Sequence, residues 1–133
     1  MTAIPNNPPP RRALLVVADP VMRRLCWETL DSAGFVVANG IDSGAAAVTA
    51  AREQRPEVIF LSQQLSDVPA LEAAKWLRSN ADLAATPIII LGGNAASDRP
   101  ANRRQITILS RPITAAHIRD ALSLAVSGKV TTR

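Results

Sequence analysis

Apolar residues in this chain fall into two kinds of stretch. Short, mostly apolar runs at Ala13–Val17, Phe35–Ala38, Arg55–Leu61, Pro87–Leu91 and Gln105–Leu109 read as strands buried on both faces. Between them apolar residues recur every three or four positions, the period of a helix with one buried face. Asp19-Pro20 caps and opens the first helix, whose face is expected to be Val21, Met22, Leu25, Cys26 and Leu30, and Gly34 supplies its left-handed stop. After the turn at Asn39-Gly40, Ser43 opens a second helix through Ala45, Val48 and Ala51 to about Gln54, because Pro56 forbids continuation. Ser66–Pro69 starts a third helix with a stripe of Leu71, Ala74, Trp76 and Leu77. Thr114 caps the last, with Ile118, Leu122 and Val126 inward and a close near Gly128.

Five strands alternating with helices, joined by connections too long for hairpins, require a parallel sheet covered on both faces. The expected architecture is α/β, a doubly wound, flavodoxin-like sheet in the order 2-1-3-4-5. Residues 94–104 have Pro100 in their middle and few apolar positions, so a fourth helix there is expected to be short or irregular. Four prolines before Arg11 mark residues 1–12 as a disordered leader, 13–127 as the domain and 128–133 as a flexible tail.

Composition narrows the picture. The 133 residues suffice for one domain. Fifteen Lys and Arg against eleven Asp and Glu, a net charge of +4, favour an acidic or phosphate-bearing partner. With no Tyr and two each of Phe and Trp, no aromatic platform exists for stacking single-stranded nucleic acid. The single cysteine, Cys26, excludes an intrachain disulfide and reads as a core thiol. No apolar run is long enough to span a bilayer, and the expected location is cytoplasmic.

Chemistry in such sheets sits beyond the carboxyl ends of the strands. At the end of the central strand stands Ser62, with no acid, His or Lys beside it. Its expected role is to cap the strand end and hydrogen-bond to the loop. His117, the only histidine, has no second ligand at metal spacing and reads as a surface or boundary residue. No phosphate-cradling glycine loop, nucleophile elbow or Cys-His pairing is present, so no enzyme activity is expected.

The chain resembles the receiver domain of two-component response regulators, the chemotaxis-receiver type, over about residues 12–127. The resemblance rests on Leu14-Leu15-Val16-Val17 with Asp19-Pro20 and Arg23-Arg24, on Arg55–Leu61, on Pro87–Leu91, and on Leu109-Ser110-Arg111-Pro112. The family uses an aspartate after the third strand as phosphoryl acceptor, two acids after the first strand to hold magnesium, a Thr or Ser after the fourth and a Lys after the fifth. The resemblance places Ser62 at the acceptor, Gly92 at the hydroxyl and Arg111 at the lysine. The first loop is one residue short, so Asp19 either keeps one acid of the pair or aligns outside it, with Ala18 in a metal position. Asp19 also has the simpler role of a helix cap. Ile108 takes the place of the family's aromatic switch residue. These departures imply a pseudo-receiver without a magnesium site and with no other cofactor. Ser66 and Asp67 stand where the family commonly has Pro and Gly, so that loop is free to take another course.

From Arg99 to Arg133 there are seven basic residues and one acid. The first expectation is phosphorylation-independent docking of a protein partner through this side, at Arg99, Arg103, Arg104, Arg111 and Arg119. An alternative is a phosphate-rich ligand such as cyclic di-GMP, gripped by arginine forks at Arg99, Arg103 and Arg104. A homodimer through the fourth-helix to fifth-helix face is a further candidate. Sequence-specific DNA reading is not expected, since no helix-turn-helix is present.

Overall fold

The computed structural model describes residues 11–38, 40–92, 106–109 and 113–128, with side chains of the last helix to Ser123. Its elements are β1 (Arg11–Val16), α1 (Pro20–Ser32), β2 (Phe35–Ala38), α2 (Gly44–Gln54), β3 (Val58–Ser62), α3 (Ala70–Arg78), a 3-10 turn at Ala81–Leu83, β4 (Ile88–Leu91), β5 (Ile106–Leu109) and α4 (Ala115–Gly128). All strand pairs are parallel, in the order β2-β1-β3-β4-β5. The doubly wound fold anticipated from the sequence is the fold observed. The expected short fourth helix at 94–104, and the dimer face built on it, lie outside the described residues.

Alternation along each strand divides the core in two. Leu14, Val16, Ile59, Leu61, Ile88 and Ile90 face α2 and α3, where Ala47, Ala51, Ala73, Ala74 and Leu77 meet them. Ala13, Leu15, Val58, Phe60, Ile89 and Leu91 face α1 and α4, against Cys26, Leu30, Ile118 and Leu122. Burial pushes the Cys26 thiol up to about 12, consistent with an inert core thiol. Several helix boundaries follow the sequence reading. Asp19 Oδ1 accepts from the Val21 amide at 3.3 Å, and Ser43 Oγ from the Ala46 amide at 3.1 Å. Thr114 Oγ1 accepts from the His117 amide at 3.2 Å, and His117, exposed, accepts the Thr114 amide on Nδ1.

Several expectations are corrected. Arg11 and Arg12, assigned to the leader, belong to β1. Arg11 is held there by an ion pair to Glu57 at 3.1 Å and by its guanidinium over the Phe35 ring. Val21, expected inward, is 77% exposed, because α1 meets the sheet through Cys26 and Leu30, with Met22 and Leu25 at the margin. On α2 the buried side is Gly44, Ala47 and Ala51, while Ala45 faces out. The α3 stripe gains Ala73, and Leu71 and Trp76 are half-buried at its edge. The Val126 side chain lies outside the described residues. Arg55 closes α2 in the left-handed region at φ 51°, its amide bonded to Ala51 O. Pro56 next to it disfavours the right-handed helical conformation at this residue, so a non-glycine takes the strained cap.

Candidate functional site at the carboxyl end of the sheet

β1 and β3 run in register, with Val16 beside Leu61, and β4 flanks β3 on the other side, with Ser62 beside Leu91. Their carboxyl ends therefore point to one edge, and the loops leaving it enclose a cleft of about 300 Å3. Its lining is Ala18, Asp19, Met22, Ser62, Gln63, Gln64 and Leu91. Ala18, Asp19 and Ser62, singled out from the sequence, are brought together. Asp19 is exposed, with Oδ1 engaged by the Val21 amide, so its helix-cap role is the one observed. Ser62 is half-buried, and no hydrogen bond of its hydroxyl is seen among the described residues.

Gly92 is buried, at φ 100°, and donates its amide to Leu109 O at 2.8 Å. It lies outside the first cleft. With Ile108, Ile90, Pro69 and Leu71 it lines a second cleft of about 220 Å3, which shares Gln63 and Gln64 with the first. Ile108 is half-buried against the α2–α3 side of the core. Arg119 is exposed on α4. Arg99, Arg103, Arg104 and Arg111 lie outside the described residues. Among the described residues no three His, Cys, Asp or Glu side chains converge as a metal site would require. No helix among them is long and apolar enough to cross a membrane.

Two residues that sequence reasoning missed shape this edge. Arg23, in the first turns of α1, reaches back to donate Nε to Val17 O and Nη2 to Ala18 O, each at 3.1 Å. Asp67, in the β3–α3 loop, accepts from the Gly44 amide at 2.7 Å and the Ala45 amide at 3.2 Å, capping α2 from 23 residues away. Ser66 N donates to Asp42 O at 2.8 Å in the same contact. The only local hint of the second was an acid where the family's usual residue is not acidic.

The Gly44 amide, joined by the Ala45, Asp67 and Val68 amides and opposed by desolvation, holds the Asp67 carboxyl below its ordinary range. A lowered folded value means that this stabilisation is present above the unfolded value of about 4 and is lost as pH falls through the folded one. Asp67→Asn is therefore expected to lower stability at pH 7 and to flatten the acid limb of a stability-against-pH curve. Urea midpoints from pH 7 to pH 3 check this, and parallel curves for the two proteins would refute it.

A parallel sheet in this order, with a cleft beyond the carboxyl ends of its central strands, defines a doubly wound α/β domain. The chain belongs to the response regulator receiver domain family, whose model matches residues 13–123. It is 27% identical over 108 residues to the polar-differentiation response regulator DivK of Brucella anthropi, covering 79% of this chain and 87% of the relative. Among solved structures, chemotaxis response regulator CheY4 of Vibrio cholerae superposes with a TM-score of 0.77 at 21% identity, over 86% of this chain and 98% of that one. The receiver domain of a sensor histidine kinase from Pseudomonas aeruginosa PAO1, with magnesium coordinated in its active site cleft, gives a TM-score of 0.76 at 25% identity, over 89% and 98%. The chain is thus a receiver module of two-component signalling.

Proposed function

We propose that this receiver does not accept a phosphoryl group at the usual place and signals by docking a protein partner in a phosphorylation-independent way. The observation that carries the reading is Ser62 at the end of β3, half-buried in a cleft whose lining, among the described residues, holds a single carboxylate, that of Asp19. A serine hydroxyl without a neighbouring base is a weak nucleophile. The residues present do not fit a magnesium ion. Among the described lining residues only Asp19 carries a negative charge, with one oxygen already engaged, and the Ser62 hydroxyl and the neutral amides of Gln63 and Gln64 add none, which is too little oxygen charge. No catalytic step of its own is assigned to the chain.

On this reading the unit spans 13–127, works in the cytoplasm and meets its partner through the basic side that includes Arg119. Cyclic di-GMP forms no part of it, since no observation among the described residues supports a site for that ligand. Incubation with acetyl phosphate and magnesium, followed by intact-mass measurement, tests the central claim. The expected mass is unchanged, in the natural chain and in Ser62→Ala alike. An adduct of one phosphoryl group on the natural chain would overturn it.

A further inference from the structure

α1 presents an outward face that the sheet does not use. Cys26 and Leu30 meet the core, with Met22 and Leu25 at its margin. The opposite side carries Pro20, Val21, Arg24, Trp27, Glu28 and Asp31, all exposed. Among the described residues three large hydrophobic side chains are exposed, and two of them, Val21 at 77% and Trp27 at 41%, stand on this face. Pro20, Arg24 and Glu28, spaced four apart, form a ridge along it. Two shallow grooves flank the ridge, one of about 360 Å3 bordered by Arg23 and Trp27 and one of about 460 Å3 bordered by Val21 and Leu25. A ridge of this spacing between two grooves is the relief against which another helix packs.

The charges of this helix run in the order Arg23, Arg24, Glu28, Asp31. Apart from the capping Asp19, that order opposes the helix dipole at both ends. An acid is favoured in the first turn and a base in the last, and α1 has neither. The Arg23 side chain is turned back onto Val17 O and Ala18 O, which leaves Arg24 as the outward cation. Arg24 pairs with Glu28 at 3.0 Å, with side chains 80% and 56% exposed, and one exposed pair of this kind adds little to a single helix. A second α1 laid antiparallel reverses the order. Its acidic half covers this basic half, the two dipoles oppose, and Arg24 of each copy comes against Glu28 of the other. The result is a four-charge network, the arrangement in which surface ion pairs do contribute.

We propose that the outward face of α1 is a self-association surface whose occupant is the same face of a second copy of this chain, related by a twofold axis across the Arg24–Glu28 pair. An isologous contact requires a surface complementary to itself, and a basic half followed by an acidic half on one helix meets that requirement. A partner carrying one sign of charge would leave half of the face unmatched. Val21 and Trp27 flank the ridge on opposite sides, so each copy offers apolar surface on both edges of the crossing. The contact is small, one helix face per copy, so the dimer is reversible and depends on concentration. The inference goes beyond the docking of a partner at the Arg119 side and uses other residues.

Sedimentation equilibrium of the full chain, up to about 1 mM protein, tests this after circular dichroism has shown each variant to be folded. The natural chain is expected to dimerise. Arg24→Glu and Glu28→Arg, each alone, set like charges against each other twice, and each is expected to weaken association by on the order of ten- to a hundredfold. An equimolar mixture of the two variants restores both opposite-charge pairs across the twofold, so it should associate as the natural chain does. Val21→Asp separates the contact from the fold. An acid in the first turn suits the helix dipole and should hold or raise the urea midpoint, while association weakens. A natural chain that stays monomeric throughout overturns the proposal. So do single variants that dimerise unchanged, which would put the contact on another face, and so does a mixture that fails to recover.

Discussion

Phe60→Ala is expected to cost about 3–5 kcal/mol, a large part of the 5–15 kcal/mol that holds a typical domain folded. Phe60 is fully buried in the middle of the central strand. The register sets it between Leu15 of β1 and Ile89 of β4. It belongs to the cluster that joins Cys26 and Leu30 of α1 to Ile118 and Leu122 of α4, so truncation opens a void shared by three strands and two helices. Neighbours fixed in a parallel ladder cannot move far to fill it. Urea unfolding followed by far-ultraviolet circular dichroism should show a lower midpoint with the slope retained. Phe60→Leu, which keeps most of the volume, should lose under about 1.5 kcal/mol. A similar small loss for Phe60→Ala would mean that the central strands, α1 and α4 are not packed as one unit around Phe60.

The same burial explains what could be read from the sequence. Strands covered on both faces leave continuous apolar runs, and Asp19, Ser43 and Thr114 satisfy helix amides within three residues of themselves. Such signals are local, and they locate the strand ends where Ala18, Asp19 and Ser62 meet. What escaped depends on groups distant in the chain or on chemistry that has no period. The exposed Val21 follows from how α1 rolls on the sheet, which a spacing of three and four leaves open by one position. The Arg23 fork depends on carbonyls that look the same in any sequence, and the Asp67 cap on a loop brought to α2 by the fold. The carboxyl edge of the sheet was therefore visible as a place, but the two charged side chains that hold its loops were not.

The contact around Asp67 leads to the second large effect. Gly44→Ala is expected to destabilise the protein by about 1–3 kcal/mol, although the same change in an exposed helix interior gains up to about 1 kcal/mol. A β-carbon on Gly44 would meet Val68 Cγ2 at 2.9 Å, Trp76 Cζ3 at 3.1 Å and Ala73 Cβ at 3.2 Å. Val68 has one short side chain to turn, and Ala73 has none, so relief must come from moving α2 away from α3. That movement also stretches the bond from the Gly44 amide to Asp67, at 2.7 Å the shorter of the two that Asp67 accepts. Overpacking and loss of the cap act together, while the helix-propensity gain is small at the first helical position. The half-buried Trp76 reports the event: its emission should shift to the red in Gly44→Ala, along with a lower urea midpoint. Because the cap is weakened in the variant, Asp67→Asn should then cost less in the Gly44→Ala background than in the natural chain, and a double-mutant cycle measures that difference. Full additivity would show that steric fit at Gly44 and the carboxylate cap are independent, and would refute the coupling.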